Sequence, residues 1–263
     1  MSYSLIKLNS ARNCLRYIVR AFKIKEIYIP YYICPAIRLS LSKENCKIHY
    51  YHIDDKFFPD CEFKENAYIL YPNYFGVCNE NIIKLSKKYN NLIVDNAHSF
   101  YSEPFGIASF NSLRKFFPFV RDGAFLYTKK LLDSEFIQDK YDYEIKSLSY
   151  EEICKNELRI DREDIMLMSK CSERIFSSLN IEKDRNERIK TYSKYFPQNK
   201  YNNIPFGIPI LCENKNEAIK KVIELKKQGY EIYKYWNNLP DSFLEKMFYE
   251  RLVVVPAIKN GDN

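Results

Sequence analysis

Between residues 91 and 128 the chain places an acid, a serine and a lysine in an order that can carry chemistry. The short apolar run Leu92-Ile93-Val94 reads as a buried strand and stops at Asp95, with His98 close behind. A second apolar segment, residues 107–110, leads into Ser112-Leu113-Arg114-Lys115, and Gly123 precedes another strand-like run, residues 124–127. A carboxylate at a strand end can hold a heterocyclic nitrogen protonated. A lysine becomes a nucleophile or Schiff-base former when its surroundings depress its pKa, and the neighbouring Arg114 is a candidate cause. Ser112 can offer a hydroxyl to a phosphate. Taken singly, an Asp after a strand is a common turn or cap residue, and a lysine in a basic cluster is a solvated charge. As an ordered set within one short segment, the three match the working parts of a pyridoxal phosphate site.

The elements that must position these residues follow from periodicity. Residues 10–22 carry Cys14, Leu15, Ile18, Val19 and Phe22 at helical spacing, and Ser10 can cap the start. Arg12 in the first turn opposes the helix dipole unless an anion lies nearby, a hint of a phosphate site. Residues 26–30 form a strand ending at a proline, 31–35 a turn whose tyrosines could stack on a planar ligand, and 36–41 a helix. Residues 46–53 are a strand with His49 and His52 on opposite faces, which suits surface or packing roles. An apolar run at 67–71 leads to a loop at 72–76, and 79–89 is an amphipathic helix with Ile82, Ile83 and Leu85 inward. This rhythm implies an α/β domain with a largely parallel sheet, whose ligands sit at the carboxyl ends of strands. Tyr31, Tyr32, Asn73 and Asp95 each follow a strand. Further on, the polar stretch 141–152 connects domains, 163–179 has a helical pattern whose Met166 and Met168 suit core or dimer interface, and 216–229 is a helix stopped by its glycine.

Composition bounds the rest. With 263 residues, 46% of them hydrophobic, the chain can bury a large core, and six glycines without a GxGxxG or GxxxxGK[ST] pattern argue against a glycine-rich phosphate loop. The net charge of +7 comes from cations interleaved with 34 acids and no recognition motif, so no nucleic-acid partner is expected. Eight cysteines without a CxxC pair suit reduced thiols of a cytoplasmic protein better than disulfides or zinc, and three histidines do not suggest a metal site. No apolar run reaches membrane-spanning length, and Arg12, Arg16 and Arg20 rule out reading the first 22 residues as a signal peptide.

Several stations in order resemble the DegT/DnrJ/EryC1/StrS family of pyridoxal-phosphate-dependent sugar aminotransferases. Ser10-Ala11-Arg12-Asn13-Cys14-Leu15 is similar to the family's G-R-x-A-L helix start, and residues 29–35 to its strand and loop over the cofactor ring. Asp95-Asn96-Ala97-His98 matches D-x-A-[HQ], Ser112-Leu113-Arg114-Lys115 is similar to S-x-x-K, and Asp122-Gly123-Ala124 resembles the G-G turn before the next strand. Residues 203–256 are similar to the family's small domain. The chain departs from the pattern at Ala11, where a glycine is usual, and at the single Gly123, and it is shorter than typical members.

The resemblance implies the aspartate-aminotransferase-like fold (fold type I), with a mostly parallel central sheet and a reduced C-terminal α+β domain. Residues 1–145 would be the cofactor-binding domain and 146–263 a helical connection and small domain. It implies pyridoxal 5'-phosphate held at its phosphate by Ala11, Arg12 and Ser112, covered by Tyr32, paired at its ring nitrogen with Asp95, contacted by His98 and joined to the catalytic Lys115. The implied activity moves an amino group from an amino acid, glutamate foremost, to a nucleotide-linked keto sugar for surface polysaccharide or related glycan biosynthesis. A homodimer with a site completed by the second subunit is implied as well. Two alternatives stay open: a catalytically degenerate protein of this fold, and a pyridoxal-phosphate-dependent amino-acid decarboxylase or lyase.

Overall fold

The first structured segment of the chain, β1 (Ser4–Leu8), is an edge strand, and the sequence does not announce it. The computed structural model describes residues 2–143, 150–236 and 239–258. After β1 come α1 (Ala11–Phe22), β2 (Glu26–Pro30), α2 (Pro35–Lys43), β3 (Lys47–Tyr51), β4 (Ile69–Pro72), α3 (Asn79–Lys88), β5 (Leu92–Asn96), β6 (Ala108–Asn111), α4 (Leu113–Phe116) and β7 (Ala124–Thr128). The second half supplies α5 (Tyr150–Arg162), α6 (Lys170–Ser177), α7 (Ile181–Tyr195), β8 (Gly207–Leu211), α8 (Lys215–Lys227), α9 (Lys246–Arg251) and β9 (Leu252–Pro256).

Seven strands form one sheet in the order β1-β7-β6-β5-β4-β2-β3. From β3 to β6 the neighbours are parallel, while β7 and β1 join antiparallel. Every residue of β4, β5 and β6 is buried, the continuous burial expected of parallel strands covered on both faces. The antiparallel β7 has a simple cause. Parallel strands need a crossover to the opposite end of the sheet, whereas the connection from 112 to 123 stays at the carboxyl end of β6 and returns directly. It therefore leaves Ser112, Lys115 and Gly123 at the end of the sheet where β5 delivers Asp95.

One face of the sheet is covered by α1 and α2, with Leu15, Ile18, Ile27 and Leu70 inside that core. Ser10 caps α1 by accepting from the Asn13 amide at 3.2 Å. The other face packs aromatic side chains, and residues from the chain's end reach into it: Phe248, Leu252 and Val254 share a core with Tyr32, Phe57, Tyr74 and Val94. The antiparallel pair β8–β9 packs on α8 through Ile208, Val253, Val255, Ala218 and Leu225, and the Phe206 amide donates to the Phe75 carbonyl at 2.9 Å.

Two expectations change. The helical pattern across 163–179 yields a helix only over Lys170–Ser177. Ahead of it Leu167 pairs as isolated bridges with Leu8 and Gln138, and Ser169 caps α6 by accepting from the Ser172 amide. Backbone pairing to β1 outcompetes the helical periodicity there. The stretch 141–152, expected to connect domains, contains the start of α5. The division at 145/146 lies outside the described residues. All eight cysteines are free thiols, and among the described residues no helix is long and apolar enough to cross a membrane.

Phe248 is 1% exposed and its ring lies 5.0 Å from both Tyr32 and Phe57, so it joins the C-terminal segment to the main sheet. Phe248→Ala removes a buried aromatic and should lower stability by about 3–5 kcal/mol, measured by urea unfolding.

Candidate active site

A cleft of about 870 Å³, counted to its open mouth, lies at the carboxyl ends of β4, β5 and β6, against the start of α1. Asp95, His98, Ser112, Lys115, Ala11 and Arg12 all line it. Tyr32 does not. It is buried with its ring 4.9 Å from Trp236 and 5.8 Å from Tyr74, and its hydroxyl donates to the Tyr235 carbonyl, so it supports the Trp236 wall rather than facing the cleft. Tyr31 is likewise occupied elsewhere, stacked 4.8 Å from Tyr50. Asn73 lines the cleft, but its amide donates to Asn79 at 2.9 Å and Asn96 at 3.0 Å and accepts from the Cys78 amide. That side chain holds the loop after β4.

Asp95 is set by register. It sits opposite Pro72 on β4 and Phe110 on β6, its carbonyl accepts from the Asn73 amide at 2.9 Å, and its Oδ1 accepts from the Ala97 amide at 2.9 Å. Burial pushes its carboxyl up to about 6, against the opposing pull of the Ala97 hydrogen bond and the Lys115 charge.

Lys115 follows β6 in α4, and its Nζ lies 5.9 Å from the centre of the Phe206 ring. Desolvation lowers its pKa first and Arg114 second, while Cys34, Asp95 and Glu157 pull the other way. Among the described residues it forms no ion pair. The turn beneath it is held from outside. Arg188, paired with Asp184 at 2.8 Å, lies 4.3 Å over the Phe116 ring and donates to the carbonyls of Phe116 and Pro205. At the other end of the turn, Gly123 has φ +114 and Met168 Sδ lies 2.8 Å from where a Cβ would stand, so a side chain there would be strained and would displace Met168. Asp122, in place of the usual second glycine, accepts from Ser169 Oγ at 2.9 Å and from its amide at 3.0 Å. The departure at this turn is thus built into the packing of α6.

His98 lies flat against aromatic rings, 4.6 Å from Phe206 and 5.9 Å from Trp236 at interplanar angles of 12° and 7°. Burial, and then Lys115, drive its pKa well below the usual imidazole value, so the ring is neutral.

At the α1 end, the Ala11 and Arg12 amides have no hydrogen-bond partner among the described residues, and neither has the Ser112 hydroxyl. The Arg12 guanidinium, in contrast, is already answered, by Glu157 at 2.7 Å and Asp161 at 3.1 Å. Arg12 thus meets the cleft with a guanidinium already paired to carboxylates and a backbone amide that is not engaged. Sequence reasoning does not find Glu157, which lies just beyond the stretch 141–152 expected to connect domains, or Arg121, whose buried Nε has no partner among the described residues and which lines the cleft. Trp236 was placed only in a small domain. No local pattern marks these three.

A raised carboxyl pKa has a stability consequence. Unfolded Asp titrates near 3.9, so between about pH 4 and 6 the folded protein binds more protons at this site than the unfolded chain, and stability from Asp95 falls as pH rises. Urea unfolding of the cofactor-free protein should find Asp95→Asn no more stable than the parent at pH 4, and more stable by up to about 3 kcal/mol at pH 7.

No family model and no curated protein matches the chain. Solved structures do. A DegT DnrJ EryC1 StrS aminotransferase from Brucella abortus superposes with a TM-score of 0.61 at 13% identity, over 97% of this chain and 81% of that one. PseC of Helicobacter pylori, an aminotransferase involved in pseudoaminic acid biosynthesis, gives 0.54 at 19% identity, over 96% and 81%. DesV of S. venezuelae, in complex with a ketimine intermediate, gives 0.65 at 12% identity, over 96% and 79%. The chain has the fold of these aminotransferases, with the mostly parallel seven-stranded sheet at its centre.

Proposed function

We propose that the cleft binds pyridoxal 5'-phosphate and that the protein transfers an amino group from an amino acid, glutamate foremost, to a nucleotide-linked keto sugar, as a cytoplasmic homodimer serving surface polysaccharide or related glycan biosynthesis. The observation that carries the reading is the meeting of a desolvated Lys115 amine and a buried Asp95 carboxylate in one cleft at strand carboxyl ends. The similarity to solved structures that include a putative sugar aminotransferase of Streptococcus pneumoniae supports the substrate class.

The donor set fits the cofactor. The free Ala11 and Arg12 amides at the start of a twelve-residue helix, the unengaged Ser112 hydroxyl and the unanswered Arg121 Nε suit a phosphate at one end. Asp95 suits a basic ring nitrogen at the other. When bound, the cofactor supplies an electron-withdrawing ring that stabilises negative charge developing on a substrate carbon.

The chain's own residues do the remainder. Asp95 holds a proton on the ring nitrogen, and that cationic partner would bring its carboxyl back down from the value burial imposes. Lys115 Nζ, its charged form disfavoured by burial and by Arg114, can in its neutral form take a proton from the substrate α-carbon and return it. Neutral His98, fixed by its flanking rings, orients the ligand by hydrogen bonding. Phe206 and Trp236 keep water from the amine.

Adding pyridoxal 5'-phosphate to the purified protein should produce a visible absorbance band, and glutamate should then shift it. Lys115→Ala should lack the original band and lose amino transfer by about a hundredfold or more. A spectrum identical for parent and variant, unmoved by glutamate, would sink the reading.

A further inference from the structure

The rim of the cleft holds an ion cluster that the proposed reaction does not use. Arg12 Nη2 donates to Glu157 Oε2 at 2.7 Å, Arg12 Nε lies 3.1 Å from Asp161 Oδ1, and Arg114 Nε lies 3.4 Å from Glu157 Oε1. Glu157 and both arginines line the cleft, whereas Asp161 does not. Arg12 occupies the first turn of α1, where a cation is unfavourable and an anion favoured, and the carboxylate that answers it comes from 145 residues further along the chain. The same cleft contains Arg121, whose buried Nε has no partner among the described residues. The cavity thus presents two guanidinium groups already sharing one internal carboxylate and a third that awaits an acceptor.

We propose that Glu157 is an internal competitor for anionic ligands: its carboxylate engages the Arg12 and Arg114 guanidinium groups that a phosphorylated or carboxylated ligand would otherwise use, and so sets how much negative charge the cleft accepts. The inference deepens the reading of the cleft as the site of a phosphorylated cofactor. Competition is physically reasonable because these pairs are partly wet. Glu157 and Arg114 are 21% and 42% exposed at their side chains, and ion pairs with such access to water are weak. A phosphate offers the same arginines shorter, charge-assisted and multiply bonded contacts. Glu157 therefore lowers affinity for every anion without closing the site.

The test uses cofactor-free protein titrated separately with inorganic phosphate and with pyridoxal 5'-phosphate, followed by fluorescence of Trp236, the one tryptophan of the sequence and part of the cleft wall. Glu157→Gln keeps an acceptor oxygen and should bind both ligands about tenfold more tightly, the order of one unit charge acting across a few ångströms of partly wet protein. Glu157→Ala should move affinity in the same direction. Asp161→Asn removes an equal charge from the same arginine but outside the cleft and away from Arg114, and should tighten binding less than either Glu157 variant does. Unchanged or weaker phosphate binding in both Glu157 variants would overturn the proposal, since Glu157 would then be positioning the arginines. Equal gains in Asp161→Asn would overturn it too, by showing a general charge effect. If phosphate tightens as expected while pyridoxal 5'-phosphate binds to no variant, the competition stands and the cofactor reading fails.

Discussion

A carboxylate and an amine kept away from water at the ends of neighbouring parallel strands are the constraint on which the rest of this molecule depends. Neither would be placed there by stability alone: burial raises the Asp95 carboxyl to about 6 and lowers the Lys115 amine. Both positions are nevertheless over-determined. Asp95 is held by register on two sides and by the Ala97 amide, and the turn carrying Lys115 is held by Arg188 at Phe116 and by Met168 under Gly123. The surrounding structure offsets a local cost, which is the usual signature of a working site.

The cover over these charges is aromatic. His98, Phe206 and Trp236 form near-parallel layers, Phe75 lies 5.6 Å from His98, and Tyr32, Tyr74 and Phe248 pack behind them. The many Tyr and Phe of the composition are therefore concentrated where large, stiff side chains can exclude water with little loss of rotamer freedom. That cover also explains why the charged form of His98 is disfavoured.

Much of the fold was legible because its elements are local. The helix from Ala11, the strand Glu26–Pro30 and the helix from Lys215 follow from periodicity, caps and breakers, and the parallel sheet follows from their alternation. The segment with Asp95, Ser112 and Lys115 was legible because one strand–turn–strand unit carries all three to the same sheet end. What stayed hidden depends on distant partners. β1 shows no clean alternation and is stabilised by pairing to β7, residues 165–168 yield their helical pattern to pairing with β1, and Glu157 meets Arg12 only through the packing of α5. Tyr32 shows the converse error. Its position after a strand was read correctly, but its direction is set by an aromatic core that no local spacing encodes.

The walls of the cleft are drawn from the start and the end of the chain: Asn9 and Arg12 on one side, Trp236 on the other, with Phe248 fastening that late segment to the sheet. During synthesis the chain emerges amino terminus first, and the sheet with Asp95 and Lys115 can assemble well before the final stretch exists. Until then Phe206 and Trp236 do not cover Lys115 and His98. The desolvation of Lys115 is thus completed only when these later aromatics dock, and a half-made chain carries the residues of the cleft without their cover.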